Sequence, residues 1–204
     1  MSYLELGLAV MTLVTIALVV MTVQRPDLTD ARGGKLLAFL AFVVLTFVTS
    51  AMGFSTHMEH SKTTDFCLSC HTMKPFGQSL RVDNSSWVPA QHFQNNRVPR
   101  DRACFTCHTS YTMFGDTQAK LRGLKHLWVY YFGTIPGKIA LYEPYLNREC
   151  LHCHAGARSF EESDLHKEIR ADLTSNATSC LECHDTIHDE APLAEQPMWT
   201  ESQP

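Results

Sequence analysis

The chain has no cysteine to spare for a disulfide. Its 8 cysteines all fall into four C-x-x-C pairs: Cys67/Cys70, Cys104/Cys107, Cys150/Cys153 and Cys180/Cys183. Positive charge is also scarce. The 17 Lys and Arg stand against 21 Asp and Glu, a formal net charge of −4, and the charges are dispersed. That excludes a basic face for nucleic acid. The opening MSYLELG has Glu5 but no Lys or Arg, and no small-residue cleavage site follows Val23. Without these features of a cleaved secretory signal, the first apolar run is read as retained. Charge of either sign is absent from residues 6–23 and 36–54. Each run has about the length a helix needs to cross the hydrocarbon core, and neither shows the polar stripe of a helix packed in a soluble core.

What is present is a histidine directly after every C-x-x-C pair: His71, His108, His154 and His184. C-x-x-C-H is the pattern of covalent haem attachment, in which two thiols bond the porphyrin vinyls and the histidine gives an axial nitrogen to iron. A zinc ribbon would also use two C-x-x-C pairs, but it does not require a histidine after each. Four motifs of four carry it, so four c-type haems are expected. Cytochrome c assembly happens outside the cytoplasm, which sends this part of the chain to the periplasm.

A second argument reaches the same compartment. Between the apolar runs lies QRPDLTDARGGK, residues 24–35, short and polar, with Pro26 and Gly33-Gly34 as breakers. This reads as the turn of a transmembrane hairpin. Arg25, Arg32 and Lys35 assign it to the cytoplasm, so both ends of the hairpin and all four motifs lie outside. The predicted fold is mainly α with few strands. Residues 1–35 form the first transmembrane helix and its cytoplasmic loop, and 36–54 the second. Residues 55–188 form a periplasmic tetrahaem domain of short helices and loops. Residues 189–204 form an acidic, Pro-rich tail, disordered or laid on the surface. About 150 residues cannot build an ordinary core around four haems, so the porphyrins serve as core and the thioethers as staples. Residues 118–132 and 160–173 read as helices.

Seven histidines lie outside the attachment slots: His57, His60, His92, His126, His152, His166 and His188. Low-spin haems need a second axial ligand, so some of these are distal ligands; residue chemistry alone does not choose among them. His152, inside a C-x-x-C loop, is left unassigned.

The order of membrane helix, C-x-x-C-H-x-M, and three further C-x-x-C-H motifs resembles the NapC/NirT/NrfH family of membrane-anchored multihaem quinol dehydrogenases. The likeness covers roughly residues 36–188, through DFCLSCHTM, QHFQNNRVPRDRACFTCH, KLRGLKHLWVYYFGT, NRECLHCH and CLECHDTIH. It implies that Met73, in place of His71, ligates the first haem. It implies His188 as distal ligand of the second haem and His92 of the fourth. In some members the third haem takes its distal ligand from a partner protein; here His166 could supply it in cis. The resemblance also places an ionisable side chain, here His126, near the open face of the first haem, where a quinol proton acceptor is needed. Lys120, Lys125 and Arg122 on the same helix would orient the quinol or balance charge. The plainer alternative for that helix is that it lies on the membrane surface with its basic residues at headgroup level. The chain departs from the family in its second span and in a longer stretch from Met73 to His92. The extra helix could bind another membrane subunit or shape the quinone pocket, and homo- or hetero-oligomers are compatible with either.

The function this implies is oxidation of menaquinol or ubiquinol at the inner (cytoplasmic) membrane, with electrons passed through four haems to a periplasmic reductase or cytochrome. Two other readings use the same scaffold: quinone reduction in the reverse direction, and an electron-wire and anchor subunit without its own quinone site.

Overall fold

The computed structural model describes residues 3–137, 139–188 and 193–200. The chain divides into two compact units, Met1–Ser61 and Lys62–Pro204.

The first unit is a helical hairpin. Helix α1 covers Tyr3–Gln24 and helix α2 covers Arg32–His60. At 1.5 Å per residue the 29 residues of α2 reach about 43 Å, more than the hydrocarbon core requires. The predicted second span ended at residue 54, but no breaker follows, and the helix runs on to His60. Apolar side chains such as Leu13, Val23, Phe47 and Phe54 point outward, as they would toward lipid. The two helices meet through small and hydroxylated residues. Ala41 is fully buried, and the Thr15 and Thr49 hydroxyls approach to 3.4 Å while each also bonds its own helix backbone. A π-turn at Leu40–Leu45 accommodates this packing, and the Thr46 hydroxyl donates to the Ala41 carbonyl five residues back at 3.0 Å. A Cβ on Gly34 would collide with the Leu28 carbonyl oxygen, so the tight connection requires glycine there.

The second unit is an assembly of short helices: α3 (Thr64–Leu68), α4 (Lys74–Gln78), α5 (Val88–Gln94), α6 (Ala103–His108), α7 (Gly115–Phe132), α8 (Asn147–His154), α9 (Arg158–Glu161), α10 (Asp164–Glu168) and α11 (Arg170–Ser175). Among the described residues there is no strand, only an isolated antiparallel bridge between Val82 and Met198. The helix expected over residues 160–173 is three pieces. Ser163 ends one and caps the next, its hydroxyl accepting from the His166 N–H, and Ile169 breaks the run again.

The side-chain core is very small. Val82, Trp87, Ala90 and Leu193 form one cluster; Leu80, Phe93 and Ala103 form another, with Val98 and Trp199 packed against it. The C-terminal segment contributes to both, so of the two expectations for the tail, disordered or laid on the surface, residues 193–200 do not follow the first. Leu193 is buried, Trp199 N–H donates to the Arg81 carbonyl at 2.7 Å, and Asp83 N–H donates to the Pro197 carbonyl at 2.8 Å. Leu193, Met198 and Trp199 bring enough apolar surface to outweigh the segment's charge. The remaining tail positions, 189–192 and 201–204, lie outside the described residues.

Candidate functional site

The attachment motifs are tied together in two pairs. In the first, the buried Thr64 on α3 accepts a hydrogen bond from Ala103 N–H at the start of α6 (2.9 Å) and donates to the Arg100 carbonyl (2.8 Å). This sets the Cys67 thiol against the Cys104 thiol. Cys67 is drawn down to about 7 by that hydrogen bond, against the opposing effect of burial, with the Lys120 charge adding to the lowering. Cys104 moves up, through the same hydrogen bond and through burial. In the second pair, the buried Asn147 at the start of α8 donates to the Leu173 and Thr178 carbonyls (2.9 and 2.6 Å) and accepts from Cys180 N–H (2.8 Å). Cys150 and Cys180 hydrogen-bond one another there, and burial pushes Cys150 up to about 12.

The sequence reading treated the eight cysteines alike, and the structure separates them. Cys67, Cys104, Cys150 and Cys180, the first of each pair, are half-buried; Cys70, Cys107, Cys153 and Cys183 are exposed. The fourth motif differs from the second and third. The second and third motifs lie within α6 and α8, but Cys180–Glu182 is a single 3-10 turn, with Cys183 following it and donating its N–H to the Cys180 carbonyl. A capping box holds that turn: the Ser179 hydroxyl accepts from Leu181 N–H at 3.2 Å, and the Glu182 carboxylate accepts from Ser179 N–H at 2.8 Å. Cys183 is therefore placed by turn geometry instead of helix geometry, and it is exposed, whereas Cys180 hydrogen-bonds Cys150.

Three of the motif histidines have a second histidine facing them. Ring centres are 6.1 Å apart for His108 and His188, 5.9 Å for His154 and His92, and 6.4 Å for His184 and His166. With a metal–imidazole bond of about 2.0 Å and a ring centre about 1.1 Å beyond its nitrogen, two imidazoles in line on one ion put their centres about 6.2 Å apart. All three pairs match that span. The facing histidines are also held as ligands are. His188 Nδ1 lies 2.7 Å from the buried Ser79 hydroxyl, which itself donates to the Phe76 carbonyl at 2.6 Å, so the imidazole is the donor. His92 Nδ1 donates to the Val88 carbonyl (2.7 Å) and His166 Nδ1 to the Phe160 carbonyl (3.3 Å). Fixing Nδ1–H leaves the Nε2 lone pair for iron. Burial also favours the neutral form of His188, His108 and His154. His188 is lowered to about 4 by burial and by His108; His108 is lowered by burial and by His126. His154 is lowered by burial, then by His92, His184 and His166. A neutral imidazole at physiological pH is the form that binds metal. A cavity of about 600 Å³ borders His92, His154, Cys153 and Cys107, large enough for a bulky flat ligand. The residues present therefore fit haem.

The resemblance paired His188 with the second motif, and the structure sets His188 opposite His108. It paired His92 with the fourth motif and offered His166 to the third; in the structure these rings gather in one cluster, His154 having His92, His184 and His166 as its electrostatic neighbours. His92, on α5, faces His154. His166 is carried on α10, directly after α9, and faces His184, the histidine that follows Cys183.

The first motif is arranged differently. The ring facing His71 is Tyr130 of α7, edge-on at 6.2 Å. Met73 is half-buried at the end of the turn that follows Cys70. Lys120, also on α7, lies 4.7 Å over the Phe105 ring and 5.9 Å over Phe66, next to Cys67. His126 is further along the same helix, its ring centre 4.5 Å from that of Tyr142, and the Lys125 ammonium lies 4.1 Å from the Tyr142 ring centre. Burial, then the Lys125 charge, lowers His126. Its electrostatic neighbour among the motif histidines is His108, of the second motif. Of the three residues expected at the quinol site, then, Lys120 stands beside the first motif, while His126 and Lys125 gather around Tyr142. Arg122 pairs with Glu143 in the same loop.

Sequence reasoning missed Tyr130 and Tyr142. Tyr130 could have been found from helical period, since residues 116, 119, 123, 126 and 130 share one face of α7. Tyr142 lies in an irregular segment and has no such signal. His152, left unassigned, stacks on Tyr111 at 3.8 Å.

Residues 31–145 match the family described as the NapC/NirT cytochrome c family, N-terminal region. The chain belongs to that family. It is 28% identical over 173 residues to the cytochrome c-type protein NapC of Paracoccus pantotrophus, covering 73% of this chain and 68% of that one. It is 27% identical over 160 residues to NapC of Escherichia coli (strain K12), covering 69% and 74%. It is 24% identical over 186 residues to the denitrification system component NirT of Stutzerimonas stutzeri, covering 83% and 87%. No solved structure matches the chain. Membership makes this NapC/NirT relative a membrane-anchored electron-transport protein carrying covalent c-type haem.

Proposed function

We propose that this NapC/NirT relative oxidises a membrane quinol and delivers the electrons to a periplasmic reductase or cytochrome, with four haems held by its four C-x-x-C-H motifs. The haems, when bound, take up and pass on single electrons. The eight cysteines anchor them. His188 with His108, His92 with His154, and His166 with His184 would hold three of the irons, and Met73 or His71 would serve the first. The observation that carries the reading is the contrast between these sites. Three motif histidines face an anchored histidine across an iron's width, whereas His71 faces Tyr130 on a helix of mixed basic and aromatic character. A site bordered by a tyrosine of such a helix can be approached closely by a substrate, and a methionine ligand would raise its potential relative to bis-histidine sites.

Oxidation of a quinol releases two protons with its two electrons. Lys120, beside Cys67, is placed to balance the charge that develops on the quinol oxygen. His126, held neutral by burial and by Lys125, accepts a proton and passes it to the outer side. The hairpin holds the domain at the bilayer where the quinol is dissolved, with the loop bearing Arg25, Arg32 and Lys35 in the cytoplasm and the haem domain in the periplasm.

The test is reduction of the purified protein in liposomes by menaquinol and ubiquinol analogues, followed in the visible haem bands. Reduction by one of them is expected. No reduction by either would leave the wire-and-anchor reading in its place. Haem potentials all above that of the host quinone couple would agree with the direction proposed; potentials all below it would reverse the flow.

A further inference from the structure

Helix α7 turns its apolar side the wrong way for a helix on a soluble domain. One face meets the domain: Asp116 bonds Lys62 at 2.7 Å and Thr109 at 3.1 Å, and Lys120, His126 and Tyr130 make the contacts described above. On the opposite face, at helical spacing, lie Leu121, Leu124, Trp128, Tyr131 and Phe132. All are exposed, Trp128 to 65% and Phe132 to 74%. The stripe continues past the helix end into Ile135 and Leu141, also exposed. A contiguous apolar face of this size is uncommon on a free surface.

We infer that α7 lies in the plane of the membrane interface, with Leu121, Leu124, Trp128, Tyr131 and Phe132 inserted at the headgroup–acyl boundary, as a third membrane contact beside the two spans. Three observations favour the bilayer as occupant. The chain already carries two apolar spans, and only Ser61 separates the end of the second from the start of this unit. Trp, Tyr and Phe gathered at the carboxyl half of the stripe are the side chains that settle at membrane interfaces. Flanking the stripe the helix carries Lys125 and Arg122, the latter paired with Glu143, while its one acid, Asp116, is bound to Lys62 on the domain face. That balance complements anionic headgroups. Docking in this way would hold the opposite face, with Lys120 and Tyr130, at a fixed height above the lipid. The inference depends on membrane anchoring and not on the direction of electron flow or the identity of the quinone.

The haem-loaded full chain is placed in nanodiscs of phosphatidylethanolamine and phosphatidylglycerol at one copy per disc. Because all native cysteines carry haem, Phe132→Cys, Trp128→Cys and a reference, Glu168→Cys, each add one reactive thiol. Labelling by a water-soluble maleimide is expected to be at least about tenfold slower at positions 132 and 128 than at 168. Lipids bearing an acyl-chain diazirine are expected to leave photoadducts within residues 121–135. Haem absorbance confirms that each variant is assembled, and two positions guard against one failing to fold. Equal labelling rates would overturn the inference. So would protection that appears only with two copies per disc, which would make the face an interface between copies. Slow labelling without lipid adducts would overturn it too, by showing the stripe covered by the chain itself.

Discussion

At the residue scale, the Nδ1 atoms of His188, His92 and His166, the distal ligands proposed, each have a fixed partner. His188 is held through Ser79, and a hydrogen bond to the non-ligating nitrogen makes an imidazole a stronger donor to iron. Ser79→Ala is expected to raise the reduction potential of one haem by tens of millivolts without loss of its low-spin spectrum, read by redox titration. His188→Ala is expected to convert one haem to high spin, read by magnetic circular dichroism. His126 makes a different prediction. In the mechanism proposed its neutral form is the proton acceptor, and burial with Lys125 lowers it, so it stays neutral as pH falls below the usual histidine value of about 6.5. Quinol-driven haem reduction should therefore hold its rate to a pH below that value. Lys125→Met removes part of the lowering and should move the acid limb of the profile upward. A profile unchanged by this substitution would remove His126 from the proton path.

At the scale of elements, two buried side chains do what a larger core does elsewhere. Thr64 joins the helices of the first and second motifs, and Asn147 joins the third motif to the fourth. Thr64→Val leaves the Ala103 N–H and Arg100 carbonyl without their partner, at about 1–3 kcal/mol for each buried group. Asn147→Ala strands three backbone groups and should cost more. Denaturant unfolding of the haem-loaded protein checks the order. The origin of α7 is equally constrained, because a Cβ on Gly115 would collide with the Ser110 carbonyl oxygen. These ties show what the sequence could and could not reveal. The spans, the attachment motifs and α7 were legible, because apolar runs, C-x-x-C-H and helical period are local signals. The ties were not, since Thr64 and Asn147 look like ordinary helix-start residues until their partners, 39 and 33 positions away, are known. The difference between Cys180, packed against Cys150, and the exposed Cys183 was equally hidden, because both sit in one unvarying motif. The gathering of His92 and His166 around His154 and His184 was hidden for the same reason. It depends on which short helix packs near which motif, and α9 and α10 are separated by a break that the charged pattern FEESDLHKEIRADL conceals.

At the scale of the whole molecule, the chain sets a membrane hairpin before a domain that has little side-chain core of its own. Only ten hydrophobic residues are buried across the described chain, and one of them, Ala41, belongs to the hairpin. Cofactor attachment and folding of Lys62–Pro204 should therefore be inseparable. Attachment occurs outside the cytoplasm, so the domain can form only if the hairpin places it there. In the orientation proposed, Arg25, Arg32 and Lys35 would determine that placement, because basic residues resist transfer and Glu or Asp counts little in the balance. Replacing all three by Gln leaves α1 and α2 apolar and intact but removes the retention signal. The expected result is membrane protein with reduced covalent haem, read by haem-stained gels. An alkaline phosphatase fused after His60 should be active in the native chain and lose activity in the triple variant. A fusion after Thr29 should behave in the opposite sense. Unchanged haem content and fusion activity in the triple variant would show that orientation is set by the haem domain instead of the loop.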